Sequence, residues 1–171
     1  MHLIAFGGGD PMPVQAVFGL SVLLSLVAWG IVATLYVAPK LRVKSQEDAL
    51  LPLVIPHLFR FIGLSFLVPG VVSSSLSPAF AAPAAYGDLV ATILAIFATF
   101  GLVAHVSWAI GVVWLLNVWG TGDLLYAFYT GFTSFGGDPG VLGAAFFIPT
   151  LVVPLLLMTH GMMFWLLLLR R

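Results

Sequence analysis

Five polar side chains interrupt long apolar stretches of this sequence, and they are the candidates for chemistry: His57, Arg60, His105, Asn117 and His160. Ionisable groups inside a membrane are costly to bury, so each of them is a functional candidate. His57 and Arg60 are three residues apart and share one helical face. They predict an anion-binding pair for a lipid phosphate, a carboxylate or a haem propionate. The structural alternative is that Arg60 reaches toward lipid headgroups while His57 forms a hydrogen bond nearby.

His105 lies near the middle of the apolar range 89–119, where a neutral imidazole needs a partner. Gly101, one turn earlier, leaves space either for a flat macrocycle or for close helix packing. Trp108 could stack on a ligand or simply face lipid. If the range 50–72 also crosses a membrane, His57 and His105 lie at similar depth, about 22–24 Å from a shared end. They are the predicted axial pair of a haem b, and His160 is a weaker candidate.

His160 stands among three methionines, Met158, Met162 and Met163. Methionine and histidine together suit Cu(I), although methionine is also a common filler of apolar surfaces. A structural role is that His160 caps a carbonyl freed by Pro154. The sequence contains no cysteine, phosphate-binding loop, zinc-protease signature or catalytic triad, so nothing in it predicts an enzyme.

The elements that must position these residues are strongly apolar. Of the 171 residues, 61% are hydrophobic and 7% are charged, and the mean hydropathy is +1.16. A soluble fold of this length could not keep so much apolar surface from water. Six Lys and Arg balance six Asp and Glu, so no basic surface exists for nucleic acid. The composition predicts an all-α integral membrane protein with a single domain, residues 1–171.

Three ranges are long and apolar enough to cross a bilayer: 14–38, 89–119 and 141–169. The fourth range, 50–72, contains three prolines and Arg60. It therefore crosses as a kinked helix or lies re-entrant or interfacial. The predicted architecture is a small bundle of four hydrophobic helices: three transmembrane spans and one proline-broken helix that is either transmembrane or re-entrant.

The connections between these ranges are predicted to be loops. Residues 73–87 are rich in Ser, Ala and Pro, and 120–140 is glycine-rich with a short interfacial helix over about 123–135. Carboxylates at helix starts satisfy free N–H groups, so N-cap positions are predicted for Asp88, Asp123 and Asp138.

Basic residues predict the orientation. Lys40–Lys44 and the pair 170–171 both belong in the cytoplasm by the positive-inside rule. Three crossings place both there, whereas four crossings place them on opposite sides. Three crossings also put two similar segments, residues 6–11 and 135–139, on the same outer face. The predicted location is a bacterial inner (cytoplasmic) membrane.

Three functions follow, in decreasing order of support. The first is a non-catalytic accessory subunit or homo-oligomer, whose partners are the lipid bilayer, other copies or other membrane subunits. The second is transport of a neutral or anionic solute near Arg60 at an oligomer interface, since the predicted spans lack the carboxylates expected of a cation carrier. The third is membrane electron transfer by a haem or pigment on His57, His105 or His160.

Overall fold

The computed structural model of the chain describes residues 12–134 and 138–169, which are helical throughout apart from short connections. Five of the helices are long and apolar enough to cross a membrane. We number them α1 to α5, and they run Val14–Arg42, Gln46–Leu67, Pro78–Val103, Ala109–Ser134 and Ile148–Leu169. The all-helical prediction is confirmed, and there are five long helices where the sequence predicted four.

The additional helix arises because the predicted span 89–119 is broken. α3 ends at Val103 and α4 begins at Ala109. In the turn between them, the N–H of Val106 donates to the carbonyl of Gly101 at 3.1 Å. His105 has a φ of 49°, in the place where this helix-ending motif usually has glycine. A left-handed histidine ends the helix without a Gly or Pro signal, so the prediction of one span was wrong.

Both predicted loops beside this span are largely helix. α3 begins at Pro78 behind Ser77, whose side chain accepts a hydrogen bond from the N–H of Ala79. α4 continues to Ser134, so residues 123–134 are part of it and not a separate interfacial helix. Residues 135–137 of that prediction lie outside the described residues, as do 1–11 and 170–171.

α2 positions His57 and Arg60 through an unusual backbone. Its first part, Gln46–Val54, is α-helical, and its second part, Ile55–Leu67, is a 3₁₀ helix. A 3₁₀ helix has three residues per turn, so every third side chain lies on one line. That line carries the buried residues His57, Arg60, Gly63 and Phe66. α2 runs without reversal, which agrees with the kinked-helix interpretation of 50–72 and not with a re-entrant one.

The bundle has two ends that differ in chemistry. At the end we call basic, Lys40, Arg42 and Lys44 lie near the connection between α1 and α2. There the Gln46 amide donates to the carbonyl of Leu166 at 3.1 Å. The opposite end, which we call the cavity end, holds the connection between α2 and α3 and the segment before α5.

A separate 3₁₀ segment, Pro139–Phe146, closes part of the cavity end before α5 begins at Ile148. Asp138 caps it, accepting a hydrogen bond from the N–H of Gly140 at 2.9 Å, as predicted. The segment is docked by backbone hydrogen bonds to residues 71–73: Ser73 N–H to Val141 O at 2.9 Å and Ala144 N–H to Val71 O at 2.8 Å.

Two apolar cores fill the bundle. The core of the basic half includes Leu50, Leu53, Leu116, Met163 and Leu166. The core of the cavity half is built from a different set of residues: Phe66, Leu76, Phe80, Leu124, Leu142, Ile148 and Leu156. A layer of charged and polar side chains separates them and forms the candidate site.

Candidate functional site

The site is centred on Arg60, which is only 1% exposed. Its Nε donates to Asp88 Oδ1 at 2.6 Å, and its Nη2 donates to Asp123 Oδ2 at 2.5 Å. The three residues come from α2, α3 and α4, so one guanidinium joins three helices. A buried arginine paired by both edges of its fork is held in a single orientation.

The remaining nitrogen of Arg60 faces α4 and α5. Nη1 lies 3.3 Å from the carbonyl oxygen of Gly120 and 3.5 Å from His160 Nε2. On the other side of its ring, His160 Nδ1 lies 2.6 Å from Asn117 Oδ1. An amide oxygen only accepts, so Nδ1 carries the hydrogen and Nε2 offers its lone pair to Arg60. In this bonding pattern His160 is neutral.

His57 completes the cluster. Its Nε2 lies 3.0 Å from Thr159 Oγ1, and that hydroxyl donates to the carbonyl of Leu156. Nε2 is therefore the donor, and the buried Nδ1 keeps a lone pair with no hydrogen-bond partner. The rings of His57 and His160 lie against each other, with centroids 4.3 Å apart.

Three glycines make room for these side chains. A Cβ on Gly63 of α2 would overlap the Asp88 carboxylate, and a Cβ on Gly87 of α3 would overlap the Asp123 carboxylate. Each carboxylate is thus seated against a glycine of the preceding helix. A Cβ on Gly120 would lie 2.7 Å from Arg60 Nη1, closer than van der Waals contact allows.

The charged residues lie at one level, about two-fifths of the way along their helices from the cavity end. Arg60 is about 14 Å from the cavity end of α2 at 2.0 Å per residue. Asp88 and Asp123 are about 15 Å and 16 Å from the cavity ends of α3 and α4 at 1.5 Å per residue. If these helices cross a bilayer with a hydrocarbon core of about 30 Å, this level would lie near its midplane.

The charges of the cluster do not cancel when all of them are ionised. Two carboxylates face one guanidinium, and the hydrogen-bond pattern makes both histidines neutral. A net negative charge at this depth costs several kcal/mol in lost hydration. One additional positive charge would therefore make the cluster neutral.

A cavity of about 380 Å³ reaches the two carboxylates from the cavity end. Of the described residues that line it, only Asp88 and Asp123 are charged. The rest of the lining is largely apolar and includes five phenylalanines: Phe18, Phe66, Phe80, Phe128 and Phe132. The size and the pairing of apolar walls with a few polar groups are typical of small-molecule sites.

The cavity does not continue to the basic end. The buried residues on that side of the cluster are apolar and closely packed, and Leu53, Val54, Leu116 and Met163 are each at most 1% exposed. Among the residues that the structure describes, the site is thus closed toward the basic end and open toward the cavity end.

Sequence reasoning identified only part of this site. It singled out His57, Arg60, Asn117 and His160, which the structure brings together. It wrongly assigned Asp88 and Asp123 to helix N-caps, because it expected helices to begin near residues 89 and 123, whereas α3 begins at Pro78 and α4 at Ala109. Distance along the helices is what could have identified them: Asp88 and Asp123 lie about as far from the cavity ends of α3 and α4 as Arg60 lies from the cavity end of α2.

The predicted haem site is not formed. His105 lies in the turn between α3 and α4 at the basic end, and its side chain is 64% exposed. His57 is buried in the charged cluster and is not beside it. The space beside Gly101 is filled by Trp108, whose ring a Cβ there would meet at 2.6 Å. His57 and His160 are close, but their rings are in contact and leave no gap for a macrocycle.

The methionines do not gather a metal site around His160. Met163 is packed in the core of the basic half, and Met158 lies next to Gly30 of α1. In residues 12–134 and 138–169 no group of three His, Cys, Asp or Glu side chains could hold a metal ion.

His105 gives the protein a pH-dependent surface contact. Its Nδ1 lies 2.7 Å from Glu47 Oε2, and this hydrogen bond raises the pKa of His105 above 6.5. A raised pKa means that the folded state binds the proton more tightly than the unfolded chain does. The stabilisation is therefore complete below pH 6.5 and is lost as the pH rises through the folded-state pKa.

We expect wild-type protein to be more thermostable than Glu47→Gln at about pH 6 and to lose that advantage by about pH 9. Thermal unfolding in detergent at the two pH values measures the difference. An advantage that is constant with pH would show that the contact is not formed by a protonated His105.

One family model, described as "Domain of unknown function (DUF8737)", matches residues 17–168. No curated protein and no solved structure matches the chain. The match covers all five long helices except the first turn of α1 and the last residue of α5.

Proposed function

We propose that this chain, which belongs to that family of unknown function, is a five-span membrane protein that binds a small apolar organic cation. The cation occupies the cavity with its charge beside Asp88 and Asp123. One observation supports this most: two carboxylates share a single guanidinium at the closed end of an otherwise apolar, aromatic cavity.

The charge of the ligand follows from the charge of the cluster. A bound cation would bring two carboxylates and one guanidinium to neutrality. Phenylalanine faces attract cations by about 0.5–2 kcal/mol each when water is excluded. The apolar walls favour a hydrophobic body around the charge. An anionic solute would instead meet Arg60 only behind two carboxylates that already occupy it.

This proposal replaces the expected neutral or anionic solute. That expectation rested on the absence of carboxylates from the spans. Asp88 and Asp123 lie inside α3 and α4, so the reason for it no longer holds. The site also lies within one chain, so no oligomer interface is needed to form it.

Five crossings give a consistent orientation. They put the connection Lys40–Lys44 and the end of α5 at Leu169 on one side, and the positive-inside rule assigns the basic connection to the cytoplasm. The cavity then opens to the outside or to the outer leaflet. An alternating-access carrier has a binding site near the bilayer midplane that opens to one side at a time. This site has that arrangement, so we propose that the protein transports the cation it binds.

Calorimetry with a matched pair of probes tests the proposal. Benzyltrimethylammonium and neopentylbenzene have the same shape, and only the first is charged. We expect the cation to bind at least about tenfold more tightly, and Asp88→Asn or Asp123→Asn to remove that preference. Glu47→Gln removes a carboxylate at the basic end and should leave binding unchanged. Equal affinity for both probes, or tighter binding of phenylacetate, would refute a cation site.

A second function, the accessory subunit or homo-oligomer, is favoured by α1. Its outward side chains, Leu20, Leu23, Leu24, Val27 and Leu35, are all at least 47% exposed, and it packs mainly against α5. Native mass spectrometry from mild detergent tests this role. A monomer at all protein concentrations would count against it.

A further inference from the structure

We infer that the cluster of Arg60, Asp88 and Asp123 holds one exchangeable proton when the cavity is empty, and that an entering cation displaces it. The inference rests on the proposed cation site and adds the reaction that accompanies binding. Cation and proton compete for the same surplus negative charge, so the protein exchanges one for the other.

Within residues 12–134 and 138–169, the charged or titratable groups that face the carboxylates come from four helices. From α2 come Arg60 and His57, from α3 Asp88, from α4 Asp123, and from α5 His160. The hydrogen bonds of His160 to Asn117 and of His57 to Thr159 place one ring hydrogen on each. The second nitrogen of His160 faces the Arg60 donor, and the buried Nδ1 of His57 faces no acceptor. A second proton would be unpaired on either ring, so both rings are neutral. Arg60 keeps its proton at any ordinary pH. The count leaves one negative charge in excess.

Burial decides what balances that charge in the empty protein. Arg60 and Asp88 are 1% and 7% exposed, and the basic half of the bundle is closed by apolar packing. A lone carboxylate at this depth is unfavourable, and with no cation present a proton from the cavity is the available balance. The proton would bind to a carboxylate oxygen of Asp88 or Asp123.

The geometry lets one site serve both occupants. Asp88 and Asp123 are the charged residues in the described lining of the cavity, so a proton and a cation can reach them by the same route. On exchange the O–H bond of the carboxyl breaks, the proton leaves to water through the cavity, and the cation takes its place. The charge of the cluster stays the same, which keeps the cost of burial low in both states.

Two measurements on wild-type protein test the inference. Infrared spectroscopy of the ligand-free protein at pH 7 should show the carbonyl stretch of a protonated carboxyl, shifted in D₂O. Adding benzyltrimethylammonium, which has no titratable proton of its own, should remove this band. In weakly buffered solution, a pH indicator should report about one proton released per cation bound.

Cation affinity should also rise with pH, by up to about tenfold per unit while the cluster is protonated. Asp123→Asn replaces the carboxyl with a neutral amide that does not ionise. We therefore expect this variant to fold, to lack the carboxyl band and to release no proton when the cation binds. Glu47→Gln should keep both signals.

The outcomes separate this inference from the proposed function. Cation binding without proton release, and without a carboxyl band, would overturn the exchange and leave the cation site intact. A carboxyl band in wild type but not in Asp123→Asn, with no cation binding, would support the proton site and refute the proposed ligand. Absence of the band from ligand-free wild-type protein would overturn the inference in every case.

Discussion

Arg60→Gln is expected to lower the free energy of unfolding by about 3–5 kcal/mol, which is the usual loss when one partner of a buried ion pair is removed. The arginine donates to Asp88 and Asp123 on two other helices. Without it, both carboxylates remain buried and two negative charges face each other. Thermal or denaturant unfolding in detergent measures the effect.

A control is Lys40→Gln, which removes an exposed charge at the basic end and should change stability by less than about 0.5 kcal/mol. Recovery by further substitution tests the mechanism. Arg60→Gln combined with Asp88→Asn and Asp123→Asn carries no uncompensated charge, so it should be more stable than Arg60→Gln alone. A triple variant no better than the single one would show that Arg60 acts by packing and not by charge.

The fold class could be predicted from the sequence because it depends on composition. A chain with 61% hydrophobic and 7% charged residues needs long apolar helices. The helix count could not be predicted, because it depends on one turn. His105 adopts a φ of 49°, a conformation that histidine adopts only occasionally. Neither hydropathy nor a Gly or Pro signal distinguishes this turn from the middle of a long span.

The polar residues of the site were partly predictable for a related reason. His57 and His160 attracted attention because they are ionisable and lie within apolar ranges. Asp88 and Asp123 are equally deep, but they follow Gly87 and Gly122, and glycine beside a carboxylate resembles a loop and a helix start. The structure gives those glycines other roles: Gly87 makes space for Asp123, and Gly122 is exposed. Which helices lie side by side decides this, and one sequence does not contain that information.

The single error in helix ends also reversed the expected ligand charge. With Asp88 and Asp123 assigned to helix caps, no carboxylate was available to pair with Arg60, and the sequence predicted that Arg60 binds an anion. Placed within α3 and α4, the same carboxylates neutralise Arg60 and leave a negative surplus. The earlier starts of α3 and α4, at Pro78 and Ala109, therefore change the predicted ligand from an anion to a cation.

Gly120→Ala and Gly122→Ala should change stability in opposite directions. Both glycines lie inside α4, where alanine is favoured over glycine by about 0.5–1 kcal/mol. At Gly122 nothing lies within 4 Å of the added Cβ, so this gain should appear in full. At Gly120 the Cβ would lie 2.7 Å from Arg60 Nη1 and 2.7 Å from His160 Nε2. Neither atom can easily move, since Asp88 and Asp123 hold Arg60 and Asn117 holds His160.

We therefore expect Gly120→Ala to lose about 1–3 kcal/mol through overpacking, and Gly122→Ala to gain up to about 1 kcal/mol. Unfolding of the two variants in the same detergent measures the difference, and binding of benzyltrimethylammonium gives a second readout. Gly120→Ala should weaken cation binding, because a displaced Arg60 changes the positions of both carboxylates. If both variants gained stability equally, α4 would not approach Arg60 as closely as the geometry indicates. The charged cluster would then be a loose pocket, without the fixed positions that selective cation binding requires.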